Sequence, residues 1–220
     1  MAHELASNLP AAAQGQEPAH TTTAVEHTSG HAEHGGLAHK LLGLENRKLG
    51  IWLFLCSEVM FFTVLIGTNQ MARWKNPGPH EVLNIPLTAL NTFILLTSSF
   101  TVVWALSGLQ QGNRKKFLRA LLLSMLFGAM FVGIQAFEYT NLSHEGFVLS
   151  ANLYTNSFFV LTGFHGSHVI IGLIWLTRLF IRGFNGSYSA ENYEEFELAG
   201  LYWHFVDIVW IILFVIVYLL

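Results

Sequence analysis

The sequence is poor in charge. Of its 220 residues, 11% are Asp, Glu, Lys or Arg, while 52% are hydrophobic. Soluble domains carry about 25% charged residues, so this balance excludes an ordinary soluble domain and points to a membrane. Cysteine is almost absent, with Cys56 alone. That excludes an internal disulfide and any CxxC or zinc-ribbon site; Cys56 is expected to be a small buried hydrophobe. Aspartate is as scarce, Asp207 being its single instance. Lys and Arg are missing from residues 1–36, which also lack an apolar core. A secretory signal and an arginine-rich transit peptide are therefore not expected there. No GxSxG, HExxH, P-loop or dinucleotide fingerprint occurs, and nucleic acid is not an expected partner.

Residues 1–39 are rich in Ala, Thr, Gly, Glu and His. Too little of that stretch is apolar to offset the entropy of ordering, so a disordered or loosely ordered tail is expected. His20, His27, His31, His34 and His39 give it a polar, pH-titrating character.

Five apolar stretches reach the roughly 20 residues that span a ~30 Å hydrocarbon core. They lie near 49–72, 86–108, 117–139, 153–181 and 199–220. Backbone groups in lipid must be satisfied internally. The expected fold is thus an all-α membrane bundle of five transmembrane helices over 40–220. No internal repeat is visible, which disfavours an inverted-repeat transporter.

Charge placement predicts orientation. Lys40, Arg47, Lys48, Arg114, Lys115, Lys116, Arg119, Arg178 and Arg182 share one side, against Arg73 and Lys75 on the other. The positive-inside rule predicts a cytoplasmic N-terminus and a C-terminus outside. The acidic run Glu191, Glu194, Glu195 and Glu197 falls on the inner side and is expected to be a solvated loop face.

Ionisable groups in spans are costly, so each marks a functional or packing site. Glu58 lies roughly 13 Å into the first helix at 1.5 Å per residue. A charged carboxylate there costs about 2.5–3.5 kcal/mol, which favours the neutral acid. It either carries a proton or senses a lipid headgroup, or it simply hydrogen-bonds a neighbouring helix. His204 and Asp207, in "YWHFVDIVW", are three apart and share a face, as do His165 and His168 in "TGFHGSHVIIG". His204 and Asp207 are expected to pair. Glu58, His168 and Asp207 count to one depth, which predicts one buried polar cluster of Glu58, His165, His168, His204 and Asp207 on helices 1, 4 and 5. Glu138, in "IQAFEY", is expected to meet water or a loop near the outer end of helix 3.

The histidines leave two readings open. Gly163, Gly166, Ser167 and Gly172 would let helix 4 pack closely, with polar side chains bonding across the contact. Alternatively, a haem needs an axial histidine, and a ring from helix 4 facing His204 would make a haem-bearing membrane cytochrome. A metal needs three or more converging ligands.

"SEVMFF" (57–62), "FVLTGFHGSHVIIG" (159–172) and "GLYWHFVDIVWIILFVIVYL" (200–219) resemble subunit III of the haem–copper terminal oxidases. "IQAFEY" (134–139) falls in the family's order too. The resemblance covers roughly residues 46–220 and begins at the third of the seven helices usual in the longer form. It implies a non-catalytic subunit of a bacterial, proton-pumping cytochrome c oxidase, in the cytoplasmic membrane. Haems and copper would sit on partner subunits, with none on this chain. Subunit I would be the main helix contact, with subunit II taking electrons from cytochrome c. The chain would stabilise the complex, hold structural phospholipids and support proton uptake. A quinol oxidase is the nearest alternative. Glu58, Glu138, His165, His168, His204 and Asp207 match the family's polar positions.

Overall fold

The computed structural model describes residues 46–75, 84–144, 146, 152–186, 188 and 193–219. The expected tail, 1–39, and the start of 40–220 lie outside them. Five long helices run over Asn46–Lys75 (α1), Ile85–Gln110 (α2), Arg114–His144 (α3), Leu153–Phe184 (α4) and Glu194–Leu213 (α5). A π-helical segment, Phe214–Leu219, continues α5. All five are long and apolar enough to cross a membrane, and no strand occurs among the described residues.

Local chemistry sets the ends. Asn84 caps α2 by accepting from Leu87 N at 3.1 Å, with Pro86 in the first turn. Asn152 caps α4 through Thr155 N at 2.8 Å. Between α2 and α3 the chain reverses at Gly112, whose φ of 67° suits glycine. Gly112 N and Asn113 N return to the carbonyls of Leu109 and Gly108 at 2.9 Å. Gly108 lets α3 begin against it, because a Cβ there would lie 2.8 Å from Phe117 N.

The helices extend beyond the apolar stretches, since Arg and Lys stems reach past the hydrocarbon while their backbone stays helical. The extension at the start of α5 corrects the acidic-loop expectation for three of its four residues, Glu191 lying outside the described residues. Glu194, Glu195 and Glu197 form the first turn of α5, where carboxylates favour the positive end of the helix dipole. They are ion-paired: Lys48 to Glu197 at 3.1 Å, Arg47 to Glu194 at 3.8 Å, and Arg182 to Glu195. Arg114 closes the same end of α4, donating to the carbonyls of Gly183 and Phe184.

In the packing, α4 touches α1, α3 and α5, and α5 also touches α1 and α2, while α2 and α3 form an antiparallel pair. Half of the most apolar window of α5 is buried, against 11% for α1. α5 is therefore the axis of the bundle and α1 its outlying helix. Cys56 lies on that outlying helix and is exposed, contrary to the buried expectation.

Candidate functional site

The first polar site joins α1 to α4. His168 Nε2 lies 3.1 Å from Glu58 Oε2, with the two side chains 13% and 17% exposed. The other ring nitrogen, Nδ1, is 2.7 Å from the Phe164 carbonyl. A carbonyl only accepts, so Nδ1 carries hydrogen. The link between Nε2 and Glu58 then holds one proton, either on a neutral acid or on an imidazolium. Tyr202 of α5 donates to the His168 carbonyl at 3.1 Å and braces the pair from behind.

The second site is the seam between α5 and α2. Trp203 Nε1 donates to Ser98 Oγ at 3.0 Å, and Trp210 Nε1 to Thr92 Oγ1 at 2.9 Å. Between them, His204 Nδ1 meets Ser99 Oγ at 2.5 Å. This corrects the expected His204–Asp207 pair: the shared face exists, but the partner of His204 comes from α2. Asp207 is 3% exposed, and neither carboxylate oxygen has a well-aligned partner among the described residues. Ser99 is the hydroxyl that faces it.

His165 belongs to neither site. Its fully buried ring stacks on Trp210, with centroids 4.8 Å apart and 27° between planes. Phe131 and Phe62 present edges at 6.0 and 6.4 Å. The single cluster expected on helices 1, 4 and 5 is thus resolved into parts. Glu58 and His168 are together; His204 and Asp207 face α2; His165 sits in an aromatic box.

Glu138 is the clearest correction. It is 4% exposed, and Thr88 Oγ1 on α2 lies 3.0 Å from its Oε1. Tyr218 of the π segment brings its hydroxyl beside the same carboxyl. The burial follows from helix length: α3 runs on to His144, so Glu138 stands six residues, about 9 Å, inside its end.

The small residues of α4 divide by function. Gly172 and Gly128 form a socket for Trp203, since a Cβ on either would come within 2.8 Å of its ring. Gly163, Gly166 and Ser167 instead line an open groove of about 220 Å³ between α3 and α4, with Phe131 and Gln135 on the other wall. Sequence reasoning missed Thr88, Ser98, Ser99 and Thr92 as partners. The two tryptophans flanking "HFVDIV", each with an N–H to satisfy in lipid, were the available signal.

With this geometry in place, the comparisons decide the family. The family model for cytochrome c oxidase subunit III matches residues 31–220. The chain belongs to the cytochrome c oxidase subunit III family. Cytochrome c oxidase subunit 3 of Bacillus sp. (strain PS3) is 37% identical over 179 residues, covering 80% of this chain and 86% of that protein. The Loxodonta africana protein of the same name is 40% identical over 184 residues, covering 79% and 69%. Quinol oxidase subunit 3 of Bacillus subtilis (strain 168) is 34% identical over 197 residues, covering 86% and 97%. The chain is thus a multi-pass membrane subunit of a haem–copper oxidase complex.

Proposed function

We propose that the chain is the non-redox subunit of a bacterial cytochrome c oxidase, in the cytoplasmic membrane with its N-terminus inside. It stabilises the complex, retains phospholipids and supports proton uptake by subunit I. Haems and copper belong to partner subunits, and electrons arrive through subunit II. The Glu58–His168 link carries this reading. It is an acid–base pair holding one proton, set between α1 and α4 and partly open to its surroundings. A proton can move between the two groups without either side chain turning. The groove beside Gly163 and Gly166 is narrow and apolar, which suits an acyl chain.

The test is mild purification of the native complex and a comparison of its oxidation of cytochrome c and of quinol. Glu58→Gln is expected to leave assembly intact and to lower sustained turnover. Undiminished turnover in that variant would remove the proton-uptake role. An apolar carbodiimide is expected to label Glu58, and labelling mainly at Glu138 would contradict the different exposure of the two acids.

A quinol oxidase is the second reading. It is favoured by the match to a quinol oxidase subunit 3 over 97% of that protein. Oxidation of quinol but not of cytochrome c by the purified complex would establish it.

A further inference from the structure

Glu138 has no part in the proton-uptake reading, yet it is the most deeply buried glutamate among the described residues, 4% exposed. Its surroundings are neutral. α2 contains no charged residue along its whole length, and it brings the Thr88 hydroxyl. α4 contains no carboxylate, and its two cations, Arg178 and Arg182, lie at the far end. Its titratable groups in the same half are Tyr154 and His165. The π segment brings Tyr218, and Tyr139 is the neighbour on α3. Arg73 of α1 belongs to this end of the bundle, but its guanidinium is turned onto the Ile216 carbonyl at 3.3 Å. No ion pair reaches Glu138 among the described residues.

Hydrogen counting accommodates a protonated acid. Thr88 Oγ1 lies 3.0 Å from the Asn84 carbonyl and 3.0 Å from Glu138 Oε1. The hydroxyl has one hydrogen and two lone pairs. If it donates to the carbonyl, which can only accept, the hydrogen between Thr88 and Glu138 must come from the acid. The buried Tyr218 hydroxyl lacks a well-aligned partner and stands beside the same carboxyl. In a neutral acid the carbonyl oxygen can accept from Tyr218 and the O–H can donate to Thr88. An ionised carboxylate here would be an unpaired charge in a low-dielectric interior, which is strongly unfavourable.

We propose that Glu138 is a proton-binding site that joins α2, α3 and the π segment only while it is protonated. The proton is the donor of the Glu138–Thr88 bond. Its release as pH rises leaves a buried charge with no counterion and loosens the C-terminal end of the bundle. The direction follows from the geometry: an acid that joins these elements only with its proton in place holds them until that proton leaves, so stability is lost as pH rises. The site is independent of the Glu58–His168 pair and of the identity of the electron donor.

The experiment uses the full chain in lipid nanodiscs at neutral pH. Infrared difference spectra of wild type minus Glu138→Gln are expected to show one protonated-carboxyl C=O band lost. Thr88→Val is expected to shift that band upward without removing it. Loss of an ionised-carboxylate band in Glu138→Gln instead would overturn the proposal. Thermal unfolding is then followed from neutral to alkaline pH. Wild type is expected to lose stability more steeply than Glu138→Gln, because the amide keeps a donor and cannot ionise. Identical alkaline profiles for the two proteins would refute the switch.

Discussion

The two ends of the bundle are held by different chemistry. Where α1 begins and α4 ends, carboxylates of α5 meet Arg47, Lys48, Arg178 and Arg182, with side chains between 26% and 74% exposed. Where α2 begins and α5 ends, buried and part-buried polar groups do most of the joining. Asn69 donates to Ser157 at 3.0 Å, Tyr139 meets Thr162 at 2.6 Å, and Thr88 meets Glu138. Exposed ion pairs are screened and are worth about 0–1 kcal/mol each. A buried polar group deprived of its partner costs about 1–3 kcal/mol. The end with more charge is therefore the one more tolerant of substitution.

That contrast can be broken or sharpened by measurement. The largest effect is expected between the ends, at Trp203, which fills the Gly128–Gly172 socket and donates to Ser98. Trp203→Ala should destabilise the chain by about 3–5 kcal/mol, read from unfolding in mild detergent. A loss below that of Glu138→Ala would mean that the ends, and not the α2–α5 seam, hold the bundle. Glu138→Ala removes the partner of Thr88 and should cost about 1–3 kcal/mol. Arg182→Ala should cost at most about 1 kcal/mol, and the difference from wild type should shrink further in high salt. If Arg182→Ala matched Glu138→Ala in stability loss, the contrast between the ends would fail.

The smallest effect concerns Tyr188, in the connection between α4 and α5. Burial, then its hydrogen bond to Glu195 at 3.0 Å and the charge of that carboxylate, push its phenol up to about 12. Its proton is bound more tightly in the folded chain, so its contribution to stability is full below the ordinary tyrosine value near 10 and is lost as pH rises from there through about 12. Absorbance titration should show one late phenolate fewer in Tyr188→Phe than in wild type. A tyrosine titrating normally at this position would show the Glu195 contact to be open in solution.

The five spans were legible because lipid leaves the backbone one way to satisfy itself over such lengths. The Glu58–His168 meeting was legible in part, through depth. The α2 partners were not, and the reason is physical. Thr88, Thr92 and Thr97 all bond the carbonyl four residues back. A hydroxyl facing Trp210 and one facing outward therefore look alike in sequence. Cys56 was misjudged because α1 lies at the outside of the bundle, with only 11% of its most apolar window buried, so that most of its positions face outward. Glu138 was misjudged because its depth was counted from the end of the apolar run, whereas the helix continues past it. The His204–Asp207 pair failed because a shared helical face says nothing about which neighbour supplies the bond.

The π segment has a further consequence. Within Phe214–Leu219 the chain turns less per residue than the α-helix's 100°. Four residues in, Tyr218 has been held back from the bearing an α-helix would give it, and so arrives beside Glu138. Gln70 and Arg73 grip the Ile216 carbonyl midway, at 3.4 and 3.3 Å. The last turn therefore acts as a dial whose setting is fixed by α1 and read out at α3. Two helices with little direct contact are geared together through the winding of a third.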